Sequence, residues 1–265
     1  MKVSVRRIIT FLIILSVCVF AAFLINGNNS IEKYDQIISA LFFVYGILSA
    51  YYLTKVQEVE SGLGLQSIIE ASSWKMIYLI IKKECKKEYE NLSEKIYNYI
   101  KIVYSTVYRE YHRSDNEYYK ILDYLFSLKN VKLFDYLMDY IKALQDSREE
   151  QKILFKKSRN TRVYMLLYVL LILCISSIYI LKGNDFLYNI IVGSFSAAMI
   201  LMMQIIFEKK NLAGDEYNVF FRPFDEIIDL MGKKRIYSES AIKEGIIDTK
   251  LLDKKKIPYD VIKGK

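Results

Sequence analysis

Hydrophobic and charged positions fall into long, separate blocks along this chain. Four stretches contain no charged residue between their end points, which are Arg7 and Glu32, Asp35 and Lys55, Arg162 and Lys182, and Asp185 and Glu208. A hydrocarbon core about 30 Å thick is crossed by roughly 20 mostly apolar residues in a helix. The pattern therefore predicts four membrane spans, at residues 8–25, 36–53, 163–181 and 186–207, and it excludes a purely soluble globule and a disordered chain.

The connections inside the two pairs of spans are short, at residues 26–35 and 182–185, so each pair is expected to form a helical hairpin. We therefore expect an all-α protein with four transmembrane helices as two hairpins and a cytoplasmic helical bundle between them. The predicted domains are an N-terminal transmembrane hairpin, a cytoplasmic helical domain, a C-terminal transmembrane hairpin and a cytoplasmic tail, at residues 1–53, 54–162, 163–207 and 208–265.

The basic residues set the expected orientation of a chain whose net charge is +8. Of its 38 lysines and arginines, only Lys33 and Lys182 lie in the two short connections, and the other 36 lie on the opposite side. Basic residues concentrate on the cytoplasmic side of membrane proteins. The sequence therefore predicts a multi-pass protein of the plasma membrane with both termini and residues 54–162 in the cytoplasm. The N-terminus also resembles a signal peptide, but its apolar run is long, which favours an uncleaved span.

The segment between the predicted hairpins has the pattern of helices throughout. After a flexible entry at residues 59–64, apolar residues with a 3.6-residue period run from residue 73 to 111, with a candidate break at residues 91–94. Ser114 and Glu117 then have the spacing of a capping box, which predicts the start of another helix.

Two further apolar stripes follow this start. They consist of Tyr118, Ile121, Leu122, Leu125 and Phe126, and of Leu133, Leu137, Tyr140, Ile141 and Leu144. The second helix is expected to continue through Gln151 and Leu154 towards the third span. The spacing favours an antiparallel bundle of helices.

The tail is predicted to contain a short helix, because Pro223 suits a first helical turn and Gly232 suits a C-cap. The apolar side of this helix would be Phe224, Ile227, Ile228 and Met231. A second short helix is expected at residues 240–243, and the end of the chain is expected to be extended and mobile. We expect the tail to pack against the bundle or against a partner.

Residues suited to catalysis are scarce. His112, the only histidine, lies in a polar stretch and is interpreted as a surface residue. The three cysteines, Cys18, Cys85 and Cys174, lie far apart, and two of them are in predicted spans, so they provide neither metal-ligand spacing nor a disulfide framework. The Gly-Leu-Gly run at residues 62–64 lacks the Lys-Ser/Thr of a phosphate loop. The chain is therefore predicted not to be an enzyme, with no catalytic, cofactor-binding or metal-binding residue and no cofactor.

The predicted spans contain no Asp, Glu, Lys or His, which proton and ion pathways usually carry. Small residues instead favour a close contact between helices. They are Gly193, Ser194, Ser196, Ala197 and Ala198. The spans therefore favour assembly over conduction.

Two surface features have open interpretations. The lysine-rich segment at residues 82–87 would suit anionic lipid headgroups or an acidic partner, or it is a solvated helix face. The chain has 23 tyrosines, many of them near basic residues, which is also found in proteins that stack nucleic-acid bases. Packing of the rings into a core is the favoured interpretation, and no nucleic-acid partner is expected.

The order of the predicted elements resembles the membrane platform proteins of type II secretion and Tad-type pili, with TadB and TadC closest in size. The resemblance covers residues 8–207, and its best local stretch is residues 118–162. In this stretch Ile-Leu-Asp-Tyr-Leu at 121–125 and Leu-Phe-Asp-Tyr-Leu at 133–137 are followed by a charged helix at 147–152 and then by the third span. This chain departs from the family at residues 128–130, where the usual glycine is missing, and in its long tail.

The resemblance implies a platform that couples a cytoplasmic hexameric secretion ATPase to the assembly or export of pilin-like subunits. The expected partners are then that ATPase, the pilin-like subunits, membrane lipid, and a second copy of the chain or a paralogous platform subunit. One alternative is a membrane-anchored scaffold or signalling protein. Another is a stator subunit like MotA or ExbB, although such stators have Pro- and Gly-rich third and fourth spans, and here those spans contain only Gly193.

Overall fold

The computed structural model describes residues 2–25, 35–85, 87–105, 114–128, 131–158, 161–181, 186–210, 222–239, 242, 247, 249–254 and 256–262. In these ranges the helices are α1 (Lys2–Leu24), α2 (Asp35–Glu84), α3 (Tyr89–Ser105), α4 (Asp115–Ser127), α5 (Val131–Ser158), α6 (Thr161–Leu181), α7 (Phe186–Lys210), α8 (Arg222–Leu230) and α9 (Thr249–Lys254). Two short strands, β1 (Arg235–Ser238) and β2 (Tyr259–Ile262), pair in parallel. The predicted all-α class is confirmed, with this small sheet as an addition that the sequence did not predict.

Of the four predicted spans, three lie in helices of membrane-spanning length and composition within the residues that the structure describes. In the described ranges they lie at Ser39–Glu84, Val163–Ile180 and Phe186–Lys209, and α1 adds a shorter apolar stretch, Leu12–Leu24. The chain is therefore a membrane protein by the length and composition of these helices. The short connections of the predicted hairpins, residues 26–34 and 182–185, lie outside the described residues.

The chain divides into two compact units. The span unit comprises residues 1–58 and 159–211, and the bundle unit comprises residues 59–158 and 212–265. Each unit therefore combines an early and a late part of the chain.

Close contacts between helices hold the span unit together. A Cβ atom added at Gly193 of α7 would lie 2.5 Å from the Cα atom of Val19 in α1, so the two backbones touch at this point. The Tyr179 hydroxyl of α6 donates a hydrogen bond to the Cys18 carbonyl of α1 at 2.7 Å. The Tyr45 hydroxyl of α2 donates to the Met199 carbonyl of α7 at 3.1 Å. The close contact expected of the small residues in the fourth predicted span is thus present at Gly193.

The course of α2 corrects two predictions. Residues 59–64 are not a flexible entry, because α2 continues through them to Glu84. Gly62 serves packing instead, since a Cβ atom there would lie 3.1 Å from the side chain of Leu154 in α5. The break expected at residues 91–94 is also wrong. The helix ends at Glu84, and residues 91–94 lie inside α3, where Leu92 is fully buried.

The two apolar stripes predicted for α4 and α5 line the core of the bundle unit. Tyr118, Ile121, Leu122 and Leu125 of α4 are buried, as are Leu137, Ile141 and Leu144 of α5. Of the other predicted stripe residues, Tyr140 is partly buried against this core, and the side chain of Leu133 lies outside the described residues. Phe126 is half-exposed, and the centre of its ring lies 5.5 Å from that of Phe134. As predicted, α5 continues through Gln151 and Leu154, ending at Ser158.

The helix predicted early in the tail is α8, and its end is a Schellman motif. Gly232 has a φ of +66°, and its N–H bonds the Asp229 carbonyl at 3.0 Å, while the Lys233 N–H bonds the Ile228 carbonyl at 3.1 Å. Glycine adopts this left-handed conformation without steric cost. The helix expected at residues 240–243 lies outside the described residues, except for Ile242.

The tail packs against the bundle, which was one of its two expected positions. Six of its described residues share a core with α2 and α3, namely Phe224, Ile227, Ile228, Ile236, Tyr237 and Leu252. At the surface, Lys75 pairs with Glu226 at 2.5 Å and Lys233 with Glu94 at 2.6 Å. The end of the chain was expected to be extended and mobile, and Tyr259–Ile262 is extended, as the strand β2 paired with β1.

Candidate functional site: a buried ionic cluster in the helical bundle

Charged and polar side chains from α2, α3, α4 and α5 meet in the core of the bundle unit. Glu70 of α2 is 1% exposed and Arg148 of α5 is 2% exposed, and Tyr99 of α3 and Gln151 of α5 are fully buried. Burying a charge is costly unless it is paired and hydrogen-bonded. The geometry around Arg148 shows how this cost is offset. We call Glu70, Tyr99, Arg148 and Gln151, together with Asp115 of α4 and Ser114 just before that helix, the ionic cluster.

The Arg148 guanidinium is the centre of the cluster. Its Nη1 atom lies 3.4 Å from Glu70 Oε1 and also donates to the Tyr99 hydroxyl, which in turn donates to Glu70. Gln151 Nε2 donates to the other Glu70 oxygen at 2.8 Å. The Glu70 carboxylate thus accepts from three side chains on two other helices, which ties α2 to α3 and α5.

The second Arg148 nitrogen reaches the N-terminus of α4. Nη2 donates to Asp115 Oδ1 at 2.5 Å and to the Ser114 hydroxyl at 3.3 Å. The predicted capping box is therefore wrong, because Ser114 makes no side-chain cap bond and has helical backbone angles. Its hydroxyl faces the buried arginine, and a guanidinium donor makes a stronger, charge-assisted hydrogen bond than a backbone N–H does.

Aromatic rings enclose the guanidinium. Its central carbon lies 4.3 Å from the centre of the Tyr118 ring and 5.3 Å from that of the Tyr99 ring. The Trp74 ring lies 5.5 Å from Tyr99 and 6.1 Å from Tyr118. A cation near aromatic faces is stabilised by about 2 kcal/mol when it is shielded from water. The rings therefore both shield Arg148 and attract its charge.

Solvent reaches the cluster mainly through Asp115, whose side chain is 27% exposed. Lys152 also approaches this carboxylate, at 3.4 Å. Burial alone would lower the pKa of Lys152, but its hydrogen bond to Glu149 and the charge of Asp115 outweigh that effect, so the pKa is raised. Lys152 therefore stays charged. In and around the cluster, three acids face two bases, namely Glu70, Asp115 and Glu149 against Arg148 and Lys152.

Three buried polar atoms near the guanidinium have no hydrogen-bond partner within the described ranges, namely Trp74 Nε1, the Tyr118 hydroxyl oxygen and Gln151 Oε1. Burial raises the pKa of Tyr118 to about 12, although the nearby Arg148 charge acts in the opposite direction. The Tyr118 phenol is therefore neutral at physiological pH.

The interactions of this cluster hold helices of the bundle unit together. Because the guanidinium binds groups from α2, α3 and α4 at once, moving any one of these helices away from α5 would separate buried charges. Removing one partner of a buried ion pair typically destabilises a protein by about 3–5 kcal/mol. The cluster therefore fixes these helices in one arrangement and opposes gradual sliding.

The sequence predicted no site residue, and this cluster was not among the expected features. The signal was present in the helical spacing. Arg148 and Gln151 continue the stripe of Leu137, Ile141 and Leu144, and Glu70 lies on the stripe of Leu63, Trp74 and Ile77. A charged residue in register with a buried apolar stripe predicts an internal ion pair, because charges are almost never fully buried unless they are paired.

The residues that the sequence did single out lie elsewhere. Cys18 and Cys174 are buried in the span unit, and Cys85 is half-buried in the bundle unit. His112 lies outside the described residues, and within the described ranges no cluster of His, Cys, Asp and Glu could hold a metal ion. Lys82, Lys83 and Lys87 are exposed.

No family model, curated protein or solved structure matches this chain.

Proposed function

We propose that the chain is a platform protein of the plasma membrane, in a Tad-type pilus or a type II secretion-like system. In this role the bundle unit lies in the cytoplasm and couples a hexameric ATPase to the assembly or export of pilin-like subunits. The proposal assigns no catalysis to the chain. Its task is to receive a mechanical input from one partner and to deliver it to another.

The observation that carries the proposal is the ionic cluster. Glu70 lies on α2, which also contains a membrane-length apolar window, and Arg148 lies on α5, which ends at Ser158 shortly before α6 begins at Thr161. The ion pair thus joins the helix that comes from one apolar segment to the helix that leads into the next. A docking domain built in this way resists shear, which a force-coupling protein requires.

The packing of α1 supports a fourth span. Val19 of α1 contacts Gly193 of α7, and the Cys18 carbonyl of α1 accepts a hydrogen bond from the Tyr179 hydroxyl of α6. A helix in such contact with two membrane-length helices would lie at the same depth as they do. The proposed topology of two hairpins also agrees with the distribution of basic residues.

A membrane-anchored scaffold or signalling protein is the second candidate. The observation that favours it is the tail, which lies beyond the part of the chain that resembles the platform family. Ile228 and Ile236 are fully buried in the bundle core, so α8 and β1 are integral parts of the bundle unit. A scaffold with its own tail-containing domain would not need a secretion ATPase.

Purification of the full chain from its native membrane in mild detergent tests the proposal. The platform predicts co-purification of a hexameric secretion ATPase or a second platform subunit, and loss of pilus assembly or protein export when the gene is deleted. Restoration by the wild-type gene, but not by the Arg148→Met variant at equal membrane abundance, would link the output to the cluster. If no such partner co-purifies and output survives the deletion, the platform proposal fails and the scaffold remains.

A further inference from the structure

Within the bundle unit, α2 has two stripes on opposite sides. The inner stripe is buried and consists of Leu63, Ser67, Glu70, Trp74, Ile77 and Ile81. The opposite stripe, which we call the outer stripe, consists of Ser61, Leu65, Ile68, Ser72 and Leu79. Because a helix turns 100° per residue, the outer residues cluster about 180° from the inner ones. The fold of the bundle therefore does not use them.

The outer stripe exposes large apolar side chains. Leu65 is 56% exposed, Ile68 is 53% exposed and Leu79 is 36% exposed. Ser61, Leu65, Ile68 and Ser72 follow spacings of four and three residues, and Leu79 lies seven residues, or two turns, further on. From Ser61 to Leu79 the stripe rises about 27 Å at 1.5 Å per residue. The small side chains of Ser61 and Ser72 lie on either side of the large side chains of Leu65 and Ile68. This is the pattern by which one helix accepts the side chains of another.

The charge beside the outer stripe is positive at its C-terminal end. Lys82, Lys83 and Lys87 are exposed, and the Lys82 amine lies 5.5 Å from the centre of the Tyr78 ring. Glu84 is offset from Lys83 by about 100° around the helix, away from the stripe. An apolar stripe that ends in lysines is complementary to an apolar helix face flanked by carboxylates.

We propose that the outer stripe is the docking surface for an amphipathic, acidic helix of a partner protein. This proposal rests on the proposed function only in assuming that the bundle unit receives a protein partner in the cytoplasm. The partner's large apolar side chains would fill the positions beside Ser61 and Ser72, and its carboxylates would pair with Lys82 and Lys83.

Charge argues against a second copy of this chain as the occupant. Two copies inserted in one membrane have the same orientation, so their α2 helices would run parallel. Lys82 and Lys83 would then lie beside the same lysines of the other copy. Like charges brought together in an interface disfavour the complex, whereas an acidic helix neutralises them.

Photo-cross-linking of the full chain in its native membrane tests the proposal. A benzophenone amino acid would replace Leu65, Ile68 or Leu79, and exposed Asn98 of α3 would be the control position. We expect the same partner, identified by mass spectrometry, at the three stripe positions and not at the control. A synthetic peptide of the partner's acidic helix should then bind the purified chain in neutral-lipid nanodiscs.

Charge reversal provides the second readout. Lys82→Glu combined with Lys83→Glu should weaken peptide binding by about tenfold, since two exposed ion pairs become repulsive contacts. Lys101→Glu is the matched control and should leave binding unchanged. Adducts at twice the mass of the chain, adducts with lipid alone, or equal cross-linking at Asn98 would each overturn the proposal. None of these readouts depends on secretion, so the platform function can fail while the docking surface stands.

Discussion

The two units bury polar groups in different ways. In the span unit, Tyr45 and Tyr179 place their hydroxyls on carbonyls of neighbouring helices, and no charged side chain in its described part is buried. In the bundle unit, Glu70 and Arg148 are both buried and depend on each other. A helix carbonyl already accepts a bond within its own helix, so the tyrosines add to a satisfied backbone. The buried charges of Glu70 and Arg148, in contrast, must be offset by an opposite charge and by hydrogen bonds from other side chains.

The two units should therefore be sensitive to different kinds of substitution. Hydrogen bonds between membrane helices contribute about 0.6 kcal/mol on average, and close packing of small residues provides much of the remaining attraction. A buried ion pair costs several kcal/mol when it loses one partner. The bundle unit should therefore respond strongly to single polar substitutions, and the span unit should respond mainly to changes in packing.

Arg148→Met has the largest expected effect. It leaves Glu70 buried without its cation and should destabilise the bundle unit by about 3–5 kcal/mol. Hydrogen exchange of the full chain in nanodiscs would show lost protection in α2, α3, α4 and α5, with unchanged protection in α6 and α7. Arg222→Met, at an exposed position of α8, is the control. Equal loss of protection in both units would remove the distinction between them.

Paired Tyr→Phe substitutions compare the two kinds of hydrogen bond directly. Tyr99→Phe removes a donor to Glu70 and an acceptor for Arg148, and should cost about 1.5–3 kcal/mol in the bundle unit, the range for bonds to charged groups. Tyr179→Phe removes a bond to a carbonyl and should cost about 0.6 kcal/mol in the span unit. Local opening free energies from hydrogen exchange measure both, and a larger cost for Tyr179→Phe would reverse the comparison.

Gly193→Ala tests the packing side of the comparison. The added methyl would lie 2.5 Å from the Val19 Cα atom, so α1 and α7 must move apart. Such overpacking typically costs about 1–3 kcal/mol, and protection in α1 should fall while the bundle unit is unaffected. Gly46→Ala is the matched control, because nothing lies within 4 Å of the Cβ atom it would add. Equal effects of the two substitutions would show that α1 and α7 are not in close contact.

Tyr118→Phe has the smallest expected effect at pH 7, since it removes a buried hydroxyl without a described partner. The pKa of Tyr118 is raised to about 12 from an ordinary value of 10, so only the unfolded state ionises between these pH values. The wild-type bundle should lose about 2 kcal/mol of stability as the pH rises from 10 to 12. The variant should lose less over this range. Identical alkaline unfolding curves for the two proteins would contradict this assignment.

Parts of the fold followed from local rules, and parts did not. Pro223 and Gly232 predicted α8 because both act on the backbone next to them, and Gly232 does adopt a positive φ. The prediction of a flexible entry at residues 59–64 is wrong because glycine permits both flexibility and close packing. The contact of Gly62 with the distant Leu154, which requires a small residue in the helix, leaves no local signal in the sequence. The β1–β2 pairing joins segments more than twenty residues apart and carried no local signal.

The candidate site was hidden for a similar reason. Arg148 belongs to a run of charged residues, and the sequence around it is typical of a solvated helix. Its burial depends on Glu70, which is 78 residues away in the chain. Only its register with the buried stripe of α5 indicated that it faces inward.

A double-mutant cycle between Glu70→Gln and Arg148→Met tests the central claim most directly, which is that this ion pair joins α2 to α5. Opening free energies of the bundle unit would be measured by hydrogen exchange for both single variants and the double variant in nanodiscs. Each single variant should cost about 3–5 kcal/mol, and the double variant should cost at least about 2 kcal/mol less than their sum, as for residues in one network. Costs that add within about 0.5 kcal/mol would show that the two side chains act independently and would contradict the account.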